Sequence, residues 1–331
     1  MSPAAPAFEA RDFVQALPHG VHVIDTGFMR PRFDASYLIV ERGRGAFVDT
    51  GTNHALPRLL AALAHVGLDP SAVDWLIATH VHLDHAGGAG LLLRSLPNAR
   101  LVVHPRGARH LIDPAALVAG ATAVYGAAEV TRSYGSIVGV DAERVTTTHD
   151  GMTLDLAGRR LDFIDTPGHA RHHHCVWDAA SRGWFSGDTF GISYPELDTA
   201  QGAFVLPTTT PVQFEPDALQ ASIERLLARR PERMYVTHYG AIGRDADDVA
   251  RLGALLREQV AAMAAIGRAA PTGEGRHAAL KRELAALYLR RLHEHGCALD
   301  AARLLELLAI DIELNAQGLA AWLDRAERGP R

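Results

Sequence analysis

A chain of 331 residues, 48% of them hydrophobic, is long enough for one large core or for a core with a satellite. Its net charge of -5, from 33 basic and 38 acidic residues, comes without any dense basic stripe interleaved with aromatics, which argues against a polyanionic RNA or DNA substrate. The N-terminus lacks a basic segment leading into an apolar one, no apolar run reaches spanning length, and Cys175 and Cys297 are too few for a disulfide framework, so the expectation is a cytoplasmic protein away from membranes.

The first half alternates short strand-like runs with helices. Val21 to Ile24, Ser36 to Val40 and Ala46 to Val48 read as strands, followed by a helix around Ala55 to Val66 that leads to the apolar stretch Trp75-Leu76-Ile77-Ala78. Directly after that stretch comes His80-Val81-His82-Leu83-Asp84-His85, three imidazoles and a carboxylate within six residues. Alternate residues of an extended segment point the same way, so His80 and His82 can close on one ion. Asp84 and His85, where the chain turns into a helix, can then face a second. Residues 106–138 are helical in pattern and form an insertion that can wall one side of a site.

From Arg160 to Val236 the same rhythm returns, and each short strand ends in a polar ligand. Leu161 to Asp165 leads into Thr166-Pro167-Gly168-His169, Trp184-Phe185 into Ser186-Gly187-Asp188-Thr189, and Met234 to Val236 into Thr237-His238. Strand ends on one edge of an α/β layer are where sites are assembled. After Gly243 the pattern becomes helical. Leu252, Leu255, Leu256, Val260 and Met263 share one face, Leu280, Leu284 and Leu287 a second, and Leu304, Leu305, Leu308 and Ile312 a third. The expected organisation is an α/β domain over residues 1–244, an αββα sandwich of two similar halves, with a C-terminal helical region over 245–331.

In their order, His80-Val-His-Leu-Asp-His85, Thr-Pro-Gly-His169, Ser-Gly-Asp188-Thr and Thr-His238-Tyr-Gly resemble the metallo-β-lactamase fold superfamily of metallohydrolases. Upstream, Phe47-Val48-Asp49-Thr50-Gly51 is similar to the family's aspartate-bearing turn. The resemblance implies that His80, His82 and His169 hold a first metal, Asp84, His85 and His238 a second, that Asp188 bridges them, and that Asp49 orients a ligand. It also separates branches. True β-lactamases of this fold use a different second-metal set, and the flavodiiron branch has glutamate where this chain has His82. Hydrolases of thioesters, lactones and phosphodiesters remain, glyoxalase II and the lactonases among them.

Two divalent ions lower the pKa of a shared water, so a bridging hydroxide becomes available to attack a carbonyl or phosphoryl centre. Asp84 or Asp188 would accept a hydrogen bond from that nucleophile. His172 or His173 is a candidate to protonate the leaving group, and Tyr194 to polarise the substrate carbonyl, the role that a tyrosine of this region has in the lactonases. The expectation is therefore a dinuclear metal-dependent hydrolase of a carboxylic ester, thioester or lactone. The alternatives are a di-iron redox or oxygen-binding protein, or a phosphodiesterase. Imidazole and carboxylate donors suit zinc first, with iron and manganese open. The expected partner is a small-molecule substrate, and a homodimer is compatible with the chain.

Overall fold

The computed structural model describes residues 9–211 and 213–328. Residues 1–8, on which the reading of the N-terminus partly rests, lie outside them. Among the described residues the strands fall into two sheets. The first has seven strands in chain order: β1 (Val14–Leu17), β2 (Val21–Asp25), β3 (Ala35–Glu41), β4 (Arg44–Val48), β5 (Val73–Ala78), β6 (Arg100–Val103) and β7 (Val145–Thr147). The second comprises β8 (Thr153–Leu156), β9 (Arg159–Asp165), β10 (His174–Asp178), β11 (Gly183–Gly187), β12 (Arg233–Val236) and β13 (Gly240–Ile242), in the order β13-β12-β11-β10-β9-β8.

By compactness the chain forms two units, residues 1–163 with 176–181, and residues 164–175 with 182–331. In the first unit, β1 to β4 pair antiparallel and β4 to β7 parallel. The C-terminal parts of the parallel strands β5 and β6 read as apolar runs, as strand segments covered on both faces do. Leu76, Ile77, Leu101, Val102 and Val103 are all fully buried. The crossovers run through α1 (Leu56–His65), then α2 (Leu83–Ala86) and α3 (Ala89–Ser95), whose Leu59, Leu63, Leu92 and Leu93 join Phe47, Leu76 and Leu101 in one core. Because β4 and β5 run parallel with Val48 opposite Ile77, the segments beginning at Asp49 and at Thr79 leave the sheet at the same edge. Over the stretch expected to be helical in pattern, the chain forms α4 (Pro105–Ile112), α5 (Ala115–Tyr125) and α6 (Ala127–Tyr134).

In the second unit, β11 and β12 are parallel and α7 (Pro216–Leu227) carries the chain between them. Leu219, Ile223 and Leu226 of α7 are buried, and the Trp184 indole donates to the Leu226 carbonyl at 3.0 Å, fixing the helix to β11. Phe185 faces Tyr235 and Gly187 faces Val236, so Ser186 is an extra residue on β11. Four further helices follow: α8 (Ala246–Ala269), α9 (Arg276–Glu294), α10 (Ala301–Leu307) and α11 (Ala309–Arg328). Asp245 starts α8 by accepting from the Asp247 and Asp248 amides at 3.0 and 2.9 Å.

One helix differs from expectation. Leu304, Leu305, Leu308 and Ile312 do not share a continuous helix, since the chain breaks between α10 and α11 at Leu308 (φ -98°, ψ 10°). Leu308 is buried at that corner while Leu305 is exposed. Burial of the corner outweighs the single apolar stripe that the spacing suggested. Among the described residues no helix is long and apolar enough to cross a membrane, and neither cysteine forms a disulfide.

Candidate metal centre

The first unit carries a contiguous donor set. Asp49 follows β4 in the left-handed region (φ 57°), a conformation that an aspartate tolerates better than most side chains and that turns its carboxylate back toward β5. There the carboxylate accepts from the Thr79 amide at 2.8 Å and lies 3.0 and 2.9 Å from the Thr79 hydroxyl. It also accepts from His85 Nδ1 at 2.8 Å, with both partners buried. The His85 proton is thereby placed on Nδ1, and Nε2 is left as the lone-pair nitrogen, 3.9 Å from Asp84 Oδ2. The backbone of His85 is fixed as well, because its carbonyl accepts from the Thr50 amide at 2.7 Å and the Thr50 hydroxyl at 3.0 Å.

His82 caps α2 in extended conformation (φ -64°, ψ 150°), so the strand-like run becomes helical between His82 and Asp84. His80 Nε2 lies 2.7 Å from His82 Nδ1, and the His80 and His85 rings have centroids 3.9 Å apart. Two neutral imidazoles can share such a gap only through a proton. A divalent cation coordinated by both nitrogens would take that proton's place. Asp84 is the more exposed member, with a side chain 26% accessible, while His80 and His85 are fully buried.

The second unit carries a dispersed donor set. Gly168 (φ 136°) allows the turn into His169, for a Cβ there would meet the Leu219 backbone at 2.3 Å. The His169 Nδ1–H donates to the Thr208 carbonyl at 3.1 Å, which leaves Nε2 as the lone-pair nitrogen, 3.2 Å from Asp188 Oδ2. His238 Nε2 lies 3.8 Å from Asp188 Oδ1. Asp188 and His238 emerge from the adjacent parallel strands β11 and β12, where Gly187 faces Val236. Asp188 thus presents each carboxylate oxygen to a different imidazole, the disposition a bridging carboxylate needs. Imidazole nitrogen with carboxylate oxygen is a donor set that fits zinc, iron or manganese.

The remaining candidates fall into place as follows. His173 is buried and accepts from the Asp188 amide through Nε2 at 3.1 Å, so its proton sits on Nδ1, which lies 2.9 Å from the Thr166 hydroxyl and 3.2 Å from that of Thr189. Its ring holds the backbone of Asp188. His172 is buried, and His174 opens β10. The hydroxyl of Tyr194, buried after Asp188, donates to Asp311 Oδ1 of α11 at 3.1 Å. Sequence reasoning did not identify the Thr208 carbonyl or Thr79 as orienting groups. The threonine-rich run Thr208-Thr209-Thr210 marks the first only as a loop, and Thr79, directly before the donor run, has no metal-ligating side chain to mark it.

Residues 29–238 match the model of the metallo-beta-lactamase superfamily, well over half of the chain. The chain belongs to that superfamily. Among its relatives is the metallo-beta-lactamase fold-containing protein ST1585 of Sulfurisphaera tokodaii, 26% identical over an alignment of 233 positions that covers 67% of this chain and 79% of that protein. The hydroxyacylglutathione hydrolase of Salmonella typhi is a more distant match, 30% identical over 162 residues, 48% of this chain and 49% of that enzyme, so the chain spans about half of its length. Among solved structures, ST1585 from Sulfolobus tokodaii gives a TM-score of 0.64 at 23% identity, covering 92% of this chain and 99% of that one. A structure described as the peroxy diiron species of the chemotaxis sensor ODP gives 0.53 at 19% identity, covering 74% and 93%. These likenesses show the fold, the αββα sandwich of this superfamily, here with an additional C-terminal helical region.

Proposed function

We propose that the chain is a dinuclear metal-dependent hydrolase of a carboxylic ester, thioester or lactone. In this reading His80, His82 and His169 hold one ion with Asp188, Asp84, His85 and His238 hold the other, and Asp188 is shared. The observation that carries it is the pair of imidazoles at 3.2 and 3.8 Å from opposite oxygens of one buried carboxylate. When bound, the ions would supply a water acidic enough to ionise near neutral pH and a Lewis acid for the carbonyl. The protein's part is orientation. Asp49 presents His85 through Nε2, the Thr208 carbonyl does the same for His169, and His173 holds Asp188 by its amide. Asp84, partly accessible, is the carboxylate suited to receive a hydrogen bond from the nucleophile. The distant likeness to a hydroxyacylglutathione hydrolase supports a thioester within this class. Zinc as resident metal, a small-molecule substrate and a cytoplasmic setting complete the proposal.

Elemental analysis of the purified protein, with hydrolysis of thioester, lactone, aryl ester and phosphodiester substrates before and after chelation, tests it. Two metals per chain and chelator-sensitive hydrolysis are expected. A second reading has an observation of its own: the same donors suit iron, and one protein of like fold is described with a peroxy diiron species. Iron, visible absorption and no hydrolysis across the panel would establish that reading in place of the first.

A further inference from the structure

The Thr208 carbonyl that orients His169 belongs to a strap, Leu206 to Thr210, which has little secondary structure to hold it. Leu206 at its start exchanges backbone hydrogen bonds with Ile192 at 2.8 and 2.9 Å, and beyond that point most of its anchors come from the C-terminal helices. Asn315 of α11, 1% exposed, donates through Nδ2 to the Pro207 carbonyl at 3.0 Å and lies 2.8 Å from the Tyr288 hydroxyl of α9. The Thr209 hydroxyl donates to the Leu314 carbonyl at 3.1 Å, and that of Thr210 to the His169 carbonyl at 3.4 Å. From α8, Gln259 Nε2 donates to the Val205 carbonyl at 2.5 Å. The approach between helix and strap depends on Gly318, where a Cβ would sit 2.1 Å from Thr209 Oγ1 and 2.9 Å from the Thr210 carbonyl.

We propose that α11 is a working part of the metal centre: Asn315 and the bare backbone at Gly318 are positioning residues that set the Pro207–Thr210 strap, and through the Thr208 carbonyl they set the tautomer and aim of His169. A hydrogen bond behind a ligating histidine fixes which nitrogen faces the metal and how the ring is turned. Here the acceptor is a backbone carbonyl, which has no side chain of its own to hold it in place. Its position is therefore delegated to the groups that grip its neighbours, and those on α11, Asn315 and the Leu314 carbonyl, sit beyond the span matched by the family model. The helical region is thus tied to metal affinity as well as to stability. This rests on the metal reading above.

The test measures metal affinity by competition with a chromophoric chelator, together with the absorption spectrum of the cobalt-substituted full-length protein. Asn315→Asp keeps size and removes the donor to Pro207. Gly318→Ala pushes the strap from the other side. Each is expected to weaken metal binding about 10-fold or more and to shift the cobalt bands. Leu292→Ala, which removes buried apolar bulk from α9, is the comparison for general destabilisation and should lower Tm while leaving affinity and spectrum unchanged. Folded Asn315→Asp and Gly318→Ala proteins with wild-type affinity and spectrum would overturn the proposal, as would equal losses in Leu292→Ala. Thr209→Ala, which deletes only a hydroxyl and a methyl, answers by the same criterion where the other two fail to fold. A wild-type protein that binds no metal would instead reject the hydrolase reading itself.

Discussion

The two donor sets are built on opposite plans. In the first unit four donors occupy six consecutive residues, and the orienting group is a buried carboxylate, Asp49, held by Thr79. In the second unit three donors come from three separate turns. Their orienting groups are a backbone carbonyl at Thr208 and a neutral imidazole at His173. A contiguous set needs one strong external fixture, because the chain itself fixes the spacing. A dispersed set needs more than one fixture, each of them weaker. The comparison predicts that damage to the first set concentrates at Asp49, while damage to the second is spread over several small effects, with Asp188 the exception.

Asp188→Ala would break the comparison most severely, since it removes the carboxylate that faces both His169 and His238. Its loss of metal affinity should exceed the about 100-fold at the top of the range for groups behind the ligands. Metal content together with turnover checks this, and retained activity would sink the assignment. Asp49→Ala comes next. It leaves the buried Nδ1–H of His85 and the Thr79 amide without their acceptor, and about 100-fold weaker metal binding is expected in competition titrations. His173→Ala should cost only about 10-fold, because the amide it holds belongs to a turn that β11 also anchors. Its rate against pH should keep the wild-type shape. Loss of one limb of that profile would show instead that His173 handles a proton in the reaction. Thr79→Val is the mildest, because the Thr79 amide still donates to Asp49. About 1 kcal/mol of stability, read by denaturant titration, should be lost with little change in metal binding.

The same contrast explains what the sequence could tell. The run from His80 to His85 is legible because its chemistry and its spacing coincide. His169, Asp188 and His238 are legible because each stands in a turn after a short apolar strand, a pattern that survives dispersal along the chain. The two-sheet architecture followed from the alternation of strands and helices, and the C-terminal helices from their apolar stripes. The supporting contacts were not readable. A carbonyl such as that of Thr208 has no sequence identity, and Asn315 reaches Pro207 only because the C-terminal helices fold back onto the loop. The position of Tyr194 after Asp188 suggests contact with a substrate, and nothing in the sequence shows that its hydroxyl donates to Asp311, more than a hundred residues away. The break at Leu308 escaped for a related reason, since a corner buried by tertiary packing is invisible to a stripe counted along one helix.

The extra residue at Ser186 makes strand parity a determinant of the centre. Phe185 and Gly187 keep step with consecutive residues of β12, so the carboxylate of Asp188 faces its present side because one residue is looped out of count. A one-codon deletion at Ser186 would alter no donor and no orienting group. It would still turn the following segment over, because side chains alternate sides with each step along a strand. Point variants in β11 therefore sample chemistry, whereas changes of length sample handedness. The metal content of a Ser186 deletion, compared with that of Ser186→Ala, would separate the two.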